Sequence, residues 1–238
     1  MKSLRIMALA LFTLCVSQAL AQSKTALKAS KGKILYILRT QYRDRPIDEK
    51  VKSRLDSLGY VTTFADESEP ATRAEGFDLV IISSTVSSQR FAGKYADSKV
   101  PVMMWENDIQ DDMRYTGRYK GVDFGEVGGD EKGEHYIWIV NAPHPLAAGL
   151  KAGTNVVYHK DQPMGWGKPG LGASIIATLP GQPNRAIIYG YEKGATMDYD
   201  FLAPARRVMF FLDNTTFPLL TADGLALFDA AVAWAIGR

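Results

Sequence analysis

The segment "VPVMMWEND", Val100 to Asp108, is an apolar run that ends abruptly in a group of polar residues. The apolar part stops at Trp105, and Glu106, Asn107 and Asp108 follow it directly. Such a run, of strand length and without polar alternation, is typical of a parallel strand that is covered on both faces. Its polar end then marks the edge of the sheet at which open α/β folds bind ligands.

The residues before this segment alternate between strand-like and helix-like patterns. The helical patterns are favoured by apolar spacings of three and four residues and by serines that can cap a helix start. The order strand, helix, strand, helix, strand predicts an α/β fold. We expect a three-layer, flavodoxin-like arrangement around a mainly parallel sheet. The strand-like runs are "KILYILR" (33–39), "YVTTF" (60–64) and "FDLVIISS" (77–84), and the helices are expected at 45–58 and 88–97.

The second half of the chain has short apolar runs separated by Gly, Pro and Asn turns, which favours antiparallel additions to the sheet. The turn "PGQPN" (180–184) predicts a hairpin. A last buried strand and a helix capped by Thr221 close the chain. The expected strands of this half are 134–141, 154–160, 172–179, 185–192 and 205–212.

The first 21 residues have the features of an export signal: basic residues, an apolar stretch and a small-x-small site ending at Ala21. We therefore expect cleavage after Ala21 and a secreted or periplasmic protein. Residues 22–32 are small and polar and predict a flexible tether, and residues 33–238 predict a single domain.

Composition limits the partners that we expect. The chain has 28 basic and 26 acidic residues, and removal of Lys2 and Arg5 with the signal leaves the two numbers equal. A neutral chain gives no electrostatic reason to expect nucleic acid, and no later apolar run is long enough for membrane insertion. Cys15 is the only cysteine and lies in the signal, so the mature chain has no thiol nucleophile and no cysteine metal ligand.

Several segments together resemble the class I glutamine amidotransferase-like superfamily, and within it the trehalose-utilisation-like (ThuA-like) branch. The resemblance covers about residues 33 to 237. The segments that carry it are "KILYILR", "FDLVIISS", "VPVMMWEN", "NAPHPLAAGL" and "RRVMFFLDN…LTADGLALFDAAVAWAIG".

The resemblance places Glu106 at or next to the position of the nucleophilic cysteine of amidotransferases. Glutamine hydrolysis through a thioester is therefore not expected. His144 resembles a His-Pro pair of the ThuA-like branch, and Asp213-Asn214 falls where the last strand of that branch meets the ligand crevice.

Polar side chains follow four of the predicted parallel strands and should converge on one crevice. Hydroxyl, amide and carboxylate groups together suit a neutral polyol or sugar, which needs both donors and acceptors. We therefore expect a small polar ligand, with carbohydrate as the first class to test. The expected ligand-binding residues are Arg39, Gln41, Ser83, Ser84, Asn107 and Asn214.

Glu106 has two interpretations from the sequence. It is either a general acid, base or nucleophile, with Asp108 or Asp213 as partner, or a structural carboxylate. The structural alternatives are an ion pair with Arg39 and hydrogen bonds from backbone N–H groups at the next helix start. Two functions therefore stay open: an enzyme of hydrolase type and a non-catalytic carbohydrate-binding module. A homo-oligomer is compatible with both.

Metals and cofactors are not predicted. Asp108, Asp111 and Asp112 could supply hard-cation ligands beside Glu106, but their spacing matches no calcium loop. The histidines His135, His144 and His159 lie in separate segments, so a zinc site would need ligands from tertiary contacts.

Two glycine-rich segments are expected to be loops. The segment 123–136 predicts a mobile loop near the crevice. Trp166 lies between glycines in the segment 159–170 and either stacks on a sugar or packs on the protein's own surface. His144, between two prolines, is expected to shape a turn or to contact a ligand at the crevice rim.

Overall fold

The computed structural model describes residues 30–129, 131–198 and 200–238. Lys31–Arg238 form one compact unit. The predicted signal peptide and most of the predicted tether lie outside the described residues, so export and the domain boundaries stay predictions. Within the described ranges no helix is long and apolar enough to cross a lipid bilayer.

The described residues form an eleven-stranded sheet with three α-helices and several 3₁₀ turns. The prediction of an α/β fold is confirmed. The helices are α1 (Arg45–Ser57), α2 (Ser88–Phe91) and α3 (Ala222–Ile236). The strands are β1 (Lys33–Leu38), β2 (Val61–Asp66), β3 (Leu79–Ile82), β4 (Val102–Met104), β5 (Phe124–Val127), β6 (Tyr136–Ile139), β7 (Gly153–Val156), β8 (Met164–Gly167), β9 (Ser174–Leu179), β10 (Gln182–Tyr191) and β11 (Arg207–Phe210).

The sheet has a parallel part and an antiparallel part. Its order is β2-β1-β3-β4-β11-β10-β9-β6-β7, and the first five of these strands are parallel to one another. From β10 onwards the neighbouring strands are antiparallel. Strands β5 and β8 pair with each other, and β8 also pairs with β10. The carboxyl ends of β1, β3, β4 and β11 therefore share one edge.

Side chains of β1 alternate between two hydrophobic clusters, as expected for a strand that is covered on both faces. Ile34 and Tyr36 pack into the cluster that contains α1 and α3. Leu35 and Ile37 pack into the second cluster, which contains Phe91 and residues of the chain after β4. The continuous apolar pattern of the run is thus explained by burial on both sides.

The two long helices start and end where the sequence indicates. Pro46 occupies the first turn of α1, and Gly59, with a φ of +96°, follows its end. The hydroxyl of Thr221 accepts a hydrogen bond from the backbone N–H of Gly224 at 3.2 Å, so Thr221 caps α3 as predicted.

The helix expected at 88–97 was predicted too long, since α2 ends at Phe91. Ala92 has a φ of +43°, which takes the chain out of the helix. Gly93 is then pressed against the backbone of Asp112, and a Cβ at position 93 would collide with the carbonyl group there.

The loop interpretation of 123–136 and 159–170 was wrong in part, because β5 and β8 lie in these segments. Glycine has low strand propensity, which hid the two strands in the sequence. The structure shows why glycine is needed: a Cβ on Gly125 would lie 2.6 Å from the Trp166 ring. Strands β5 and β8 can pack this closely because Gly125 has no side chain at its contact with Trp166.

Candidate functional site

A polar crevice of about 500 Å³ lies at the carboxyl ends of the parallel strands. Strands β1, β3, β4 and β11 contribute the residues that follow them, and β5 contributes Glu126. The charged and amide side chains of its lining are Arg39, Gln89, Glu106, Asn107, Asp108, Lys120, Glu126, Asp213 and Asn214. All three predicted catalytic carboxyls thus border one cavity.

Glu106 is the most buried carboxyl of the crevice, with 8% of its surface exposed. It follows β4 and caps the 3₁₀ turn Asn107–Ile109, where its Oε1 accepts a hydrogen bond from the backbone N–H of Asp108 at 3.0 Å. Burial raises the pKa of Glu106 from 4.5 to about 8; this backbone hydrogen bond opposes the rise, and the nearby acidic groups add to it. At neutral pH Glu106 is therefore mostly a neutral acid that can donate a hydrogen bond.

Asp108 is already engaged by neighbouring groups. Its Oδ2 lies 2.7 Å from the ammonium of Lys120, and its Oδ1 accepts a hydrogen bond from the Asn107 amide at 3.1 Å. The carbonyl oxygen of that amide accepts in turn from Gln110 at 2.9 Å. Both oxygens of Asp108 thus have protein partners.

Asp213 and Asn214 follow β11 and approach the crevice from another side. Burial raises the pKa of Asp213, while the backbone N–H groups of Asn214 and Thr215 oppose the rise. The side-chain oxygen of Asn214 is buried and accepts no hydrogen bond from the described part of the protein. A buried acceptor of this kind is unusual and is consistent with a ligand donor in the crevice.

Glu126 and Lys120 also line the crevice, and no sequence pattern singled them out. Burial raises the pKa of Glu126, Asp213 and Asp108 raise it further, and Lys120 lowers it. Within the described ranges no hydrogen bond or ion pair engages the Glu126 carboxyl. The sequence indicates the strand that carries Glu126 only by the apolar residues Phe124 and Val127 on either side of this glutamate.

In the described part of the chain, Arg39 forms no ion pair with Glu106. Its guanidinium lies 3.4 Å from Glu67 and 4.9 Å from the centre of the Tyr42 ring. Of the two structural alternatives for Glu106, the structure therefore shows the backbone hydrogen bond and not the arginine pair.

The two serines after β3 have different positions. Ser83 is 1% exposed and donates its hydroxyl hydrogen bond to Asp48 at 2.7 Å, so it is turned away from the crevice. Ser84 lines the crevice, and its buried hydroxyl has no hydrogen-bond partner among the described residues. The prediction that both serines face a ligand thus fits Ser84 alone.

Three further predicted ligand-binding residues lie outside the crevice lining. Gln41 borders two neighbouring surface cavities instead. His144 shapes a turn: its Nδ1 accepts a hydrogen bond from the backbone N–H of Leu146 at 3.2 Å, and its ring lies against Trp234. Of the two alternatives for Trp166, the structure shows packing within the protein, because this side chain is 3% exposed in β8 and lies under Arg185.

The acidic residues after β4 do not gather around one point. In the part of the chain that the structure describes, the crevice carboxylates form no group of three that could share a metal ion. Asp112 is exposed and Asp111 is half-buried, and neither lines the crevice. The hard-cation alternative for this corner therefore gains no support from the geometry.

Comparisons with known proteins bear on the fold. No protein-family model matches the chain, and no curated protein sequence matches it either. Twelve chains of solved structures do match. One is a protein from Thermoplasma acidophilum described as a GMP synthase subunit; it aligns with a TM-score of 0.53 and 11% identity, over 86% of this chain and 94% of that one. The chain has a class I glutamine amidotransferase-like fold.

At 11% identity this likeness extends to the fold and not to an activity. In an amidotransferase-like fold the crevice beyond the parallel strands is the general place for a ligand. Residues 30–238 contain no cysteine, since Cys15 is the only one in the sequence. Any chemistry in this crevice must therefore use other groups, among them the carboxyls of Glu106, Asp108, Glu126 and Asp213.

Proposed function

We propose that the crevice binds a carbohydrate or a related polar metabolite, and that Glu106 is the carboxyl group that acts on it. The observation that carries the proposal is a buried carboxyl with a pKa of about 8 in a polar crevice that two other carboxyls with raised pKa values also line. Perturbed titratable groups that share a cleft are a common feature of active sites.

As a neutral acid, Glu106 can donate a proton to a leaving oxygen, which is general acid catalysis. Hydrolysis of a glycosidic bond also needs an ionised carboxylate to act as a base or nucleophile. Asp213 and Glu126 are the candidates for that role, because both oxygens of Asp108 are already bound by Lys120 and Asn107. The proposed activity is therefore of hydrolase type, with Glu106 as acid and Asp213 or Glu126 as its partner.

A non-catalytic carbohydrate-binding module is the second candidate. One observation favours it: Glu106 Oε1 already caps a turn, so this carboxyl also has a structural role. In that case the neutral acid recognises ligand hydroxyls without reaction, together with the groups of Ser84 and Asn214 that have no partner in the described ranges.

Membership of the ThuA-like branch, the three-layer flavodoxin-like arrangement and export after Ala21 belong to the same proposal. The first two are supported by the sequence segments named above and by the amidotransferase-like fold, and export rests on the features of the first 21 residues alone. The resemblance puts Glu106 at or next to the nucleophile position, and with the absence of cysteine from residues 30–238 this argues against glutaminase activity.

A thermal-shift screen of mono- and oligosaccharides tests the proposal. The proteins to compare are the wild type, Glu106→Gln, Glu126→Gln and a control, Glu192→Gln, which changes an exposed glutamate that pairs with Arg206. We expect a sugar to raise the melting temperature of the wild type and of the control. If no sugar stabilises the wild type, the carbohydrate proposal is wrong in both versions.

Product analysis with the stabilising sugar separates the two candidates. An enzyme of hydrolase type releases reducing ends with the wild type and the control, and does so at least a hundredfold more slowly with Glu106→Gln, since general acid catalysis contributes about 10²–10⁴-fold. A binding module gives a thermal shift with no product from any variant.

A further inference from the structure

Three potential metal ligands meet at a place that is separate from the crevice. Glu134 and His135 directly precede β6, and Asp161 lies just before β8. One ligand atom of each side chain lies within 4.8 Å of the other two. None of the three lines the crevice, so they are outside the proposed active site.

The backbone fixes the two segments against each other. Glu134 and Gln162 form an isolated antiparallel bridge, with both N–H groups donating to the opposite carbonyl oxygen at 3.0 Å. This bridge brings together residues that are 26 positions apart, His135 and Asp161. The tertiary contact that a histidine-containing metal site would need is therefore present.

The ligand atoms are close enough together to converge on one small divalent ion. His135 Nδ1 lies 3.6 Å from Glu134 Oε1 and in direct hydrogen-bond contact with Asp161 Oδ1. Tetrahedral zinc with bonds of about 2.0–2.2 Å has ligand atoms about 3.4 Å apart, which is close to the Glu134–His135 separation. A metal ion would take the place of the hydrogen that Asp161 and His135 share, and these two ligand atoms would have to move apart to about 3.4 Å.

The orientation of the Glu134 carboxylate is already set. Its Oε1 accepts hydrogen bonds from the backbone N–H groups of His135 at 2.8 Å and Tyr136 at 3.1 Å. All three ligand side chains are about one quarter to one third exposed, with values of 26–31%. They can be reached from solvent but are held by the surrounding structure.

The charges also fit. Two carboxylates balance the charge of a divalent ion, and an imidazole nitrogen favours zinc or a similar transition metal over Mg²⁺ and Ca²⁺. The site already attracts a cation, because the Lys132 ammonium lies 2.9 Å from Asp161 Oδ2. Lys132 is 85% exposed, so it can leave when a metal ion enters.

We propose that Glu134, His135 and Asp161 bind a divalent transition-metal ion such as Zn²⁺, with water in the open position. A site with three protein ligands and water has the coordination of known zinc centres. Because its ligands come from the segments before β6 and β8, the bound ion links these two segments.

Isothermal titration with ZnCl₂ tests the site, with untagged protein in a buffer that does not bind metals. We expect one equivalent of Zn²⁺ to bind, and His135→Ala and Asp161→Asn each to weaken binding at least tenfold. Lys132→Gln should strengthen it severalfold, because the competing ammonium is removed. His159→Ala, an exposed histidine outside the cluster, is the matched control and should bind as the wild type does.

Cobalt provides a second measurement that does not depend on heat signals. Co²⁺ bound at the site should give the visible absorption of low-coordinate cobalt in the wild type and in His159→Ala, and none in His135→Ala. Failure of the wild type to bind Zn²⁺ at 1:1 stoichiometry overturns the proposal. Binding that survives in His135→Ala and Asp161→Asn, or that His159→Ala weakens equally, also overturns it.

Discussion

Gln110 donates a hydrogen bond from its side-chain amide to the carbonyl oxygen of Trp166 at 2.9 Å, which joins the turn after β4 to strand β8. Its side-chain oxygen accepts a hydrogen bond from the Tyr189 hydroxyl. Gln110 is fully buried, and both partners are buried with it. One side chain thus connects the Glu106 turn with the β5–β8 strand pair that carries Glu126.

We predict that Gln110→Ala lowers the free energy of unfolding by about 3 kcal/mol, because Trp166, Tyr189 and Asn107 lose their hydrogen bonds to this side chain. Urea denaturation measures the change. Gln89→Ala is the control: this glutamine is exposed on α2, and its replacement should change the stability by less than about 0.5 kcal/mol. Equal effects of the two substitutions would show that the Gln110 contacts do not support the site.

We predict that Glu106→Gln stabilises the protein at pH 7 to 8. In the unfolded chain Glu106 loses its proton near pH 4.5, whereas in the folded protein it keeps the proton up to about pH 8. Between these values the folded state binds more protons, so the stability of the wild type falls as the pH rises. A neutral amide avoids this loss, which amounts to about 3 kcal/mol at pH 7.

Denaturation of both proteins at several pH values checks this prediction. The gain from Glu106→Gln should be near its maximum at pH 8 and should shrink toward pH 4, where Glu106 is protonated in both states. A gain that does not depend on pH, or a loss of stability at pH 8, would contradict a raised pKa.

The parallel part of the sheet could be predicted from the sequence because burial on both faces leaves a local pattern. The runs of β1, β3 and β4 contain almost no polar residue, and each ends where the polar group begins. The carboxyl ends of parallel strands lie at the same edge of a sheet. Glu106, Asp108 and Asp213 follow such ends, so they could be placed at one site without any knowledge of contacts.

The rest of the site could not be predicted because it depends on long-range contacts. Glu126 enters the crevice only because β5 pairs with β8, and the glycines that allow this pairing look like loop residues in a sequence. The same glycines leave open in the sequence whether Trp166 stacks on a ligand or packs on the protein itself. Ser83 and Ser84 are adjacent and chemically identical, and the hydrogen bond that directs Ser83 to Asp48 cannot be read from the sequence.

We predict that Asp213→Asn lowers the pKa of Glu106, because the charge of Asp213 contributes to the rise. NMR titration of the labelled Glu106 carboxyl carbon measures the shift. Asp223→Asn removes an exposed carboxylate in the first turn of α3 and should leave the titration unchanged. If Asp213→Asn leaves the Glu106 titration where it was, the two carboxyls do not interact across the crevice.

Asp48 supports the loop that carries Ser84. It is 2% exposed on α1 and accepts hydrogen bonds from the hydroxyls of Tyr36 at 2.7 Å, Ser83 at 2.7 Å and Thr85 at 3.1 Å. We predict that Asp48→Ala lowers the free energy of unfolding by roughly 3 kcal/mol or more, because three buried hydroxyls lose their acceptor. Asp48→Asn should have a smaller effect, because its amide keeps one oxygen as an acceptor.

Chemical denaturation measures this order of stability, with Glu49→Ala on the exposed side of the same helix as the control. Glu49 is 49% exposed, and among the described residues its carboxylate pairs only with Arg45 on the surface, so its loss should change the stability by less than about 1 kcal/mol. If Asp48→Ala and Glu49→Ala are equally stable, the hydroxyl network does not hold α1 to β1 and β3. In that case the position of Ser84 must be fixed by the sheet alone.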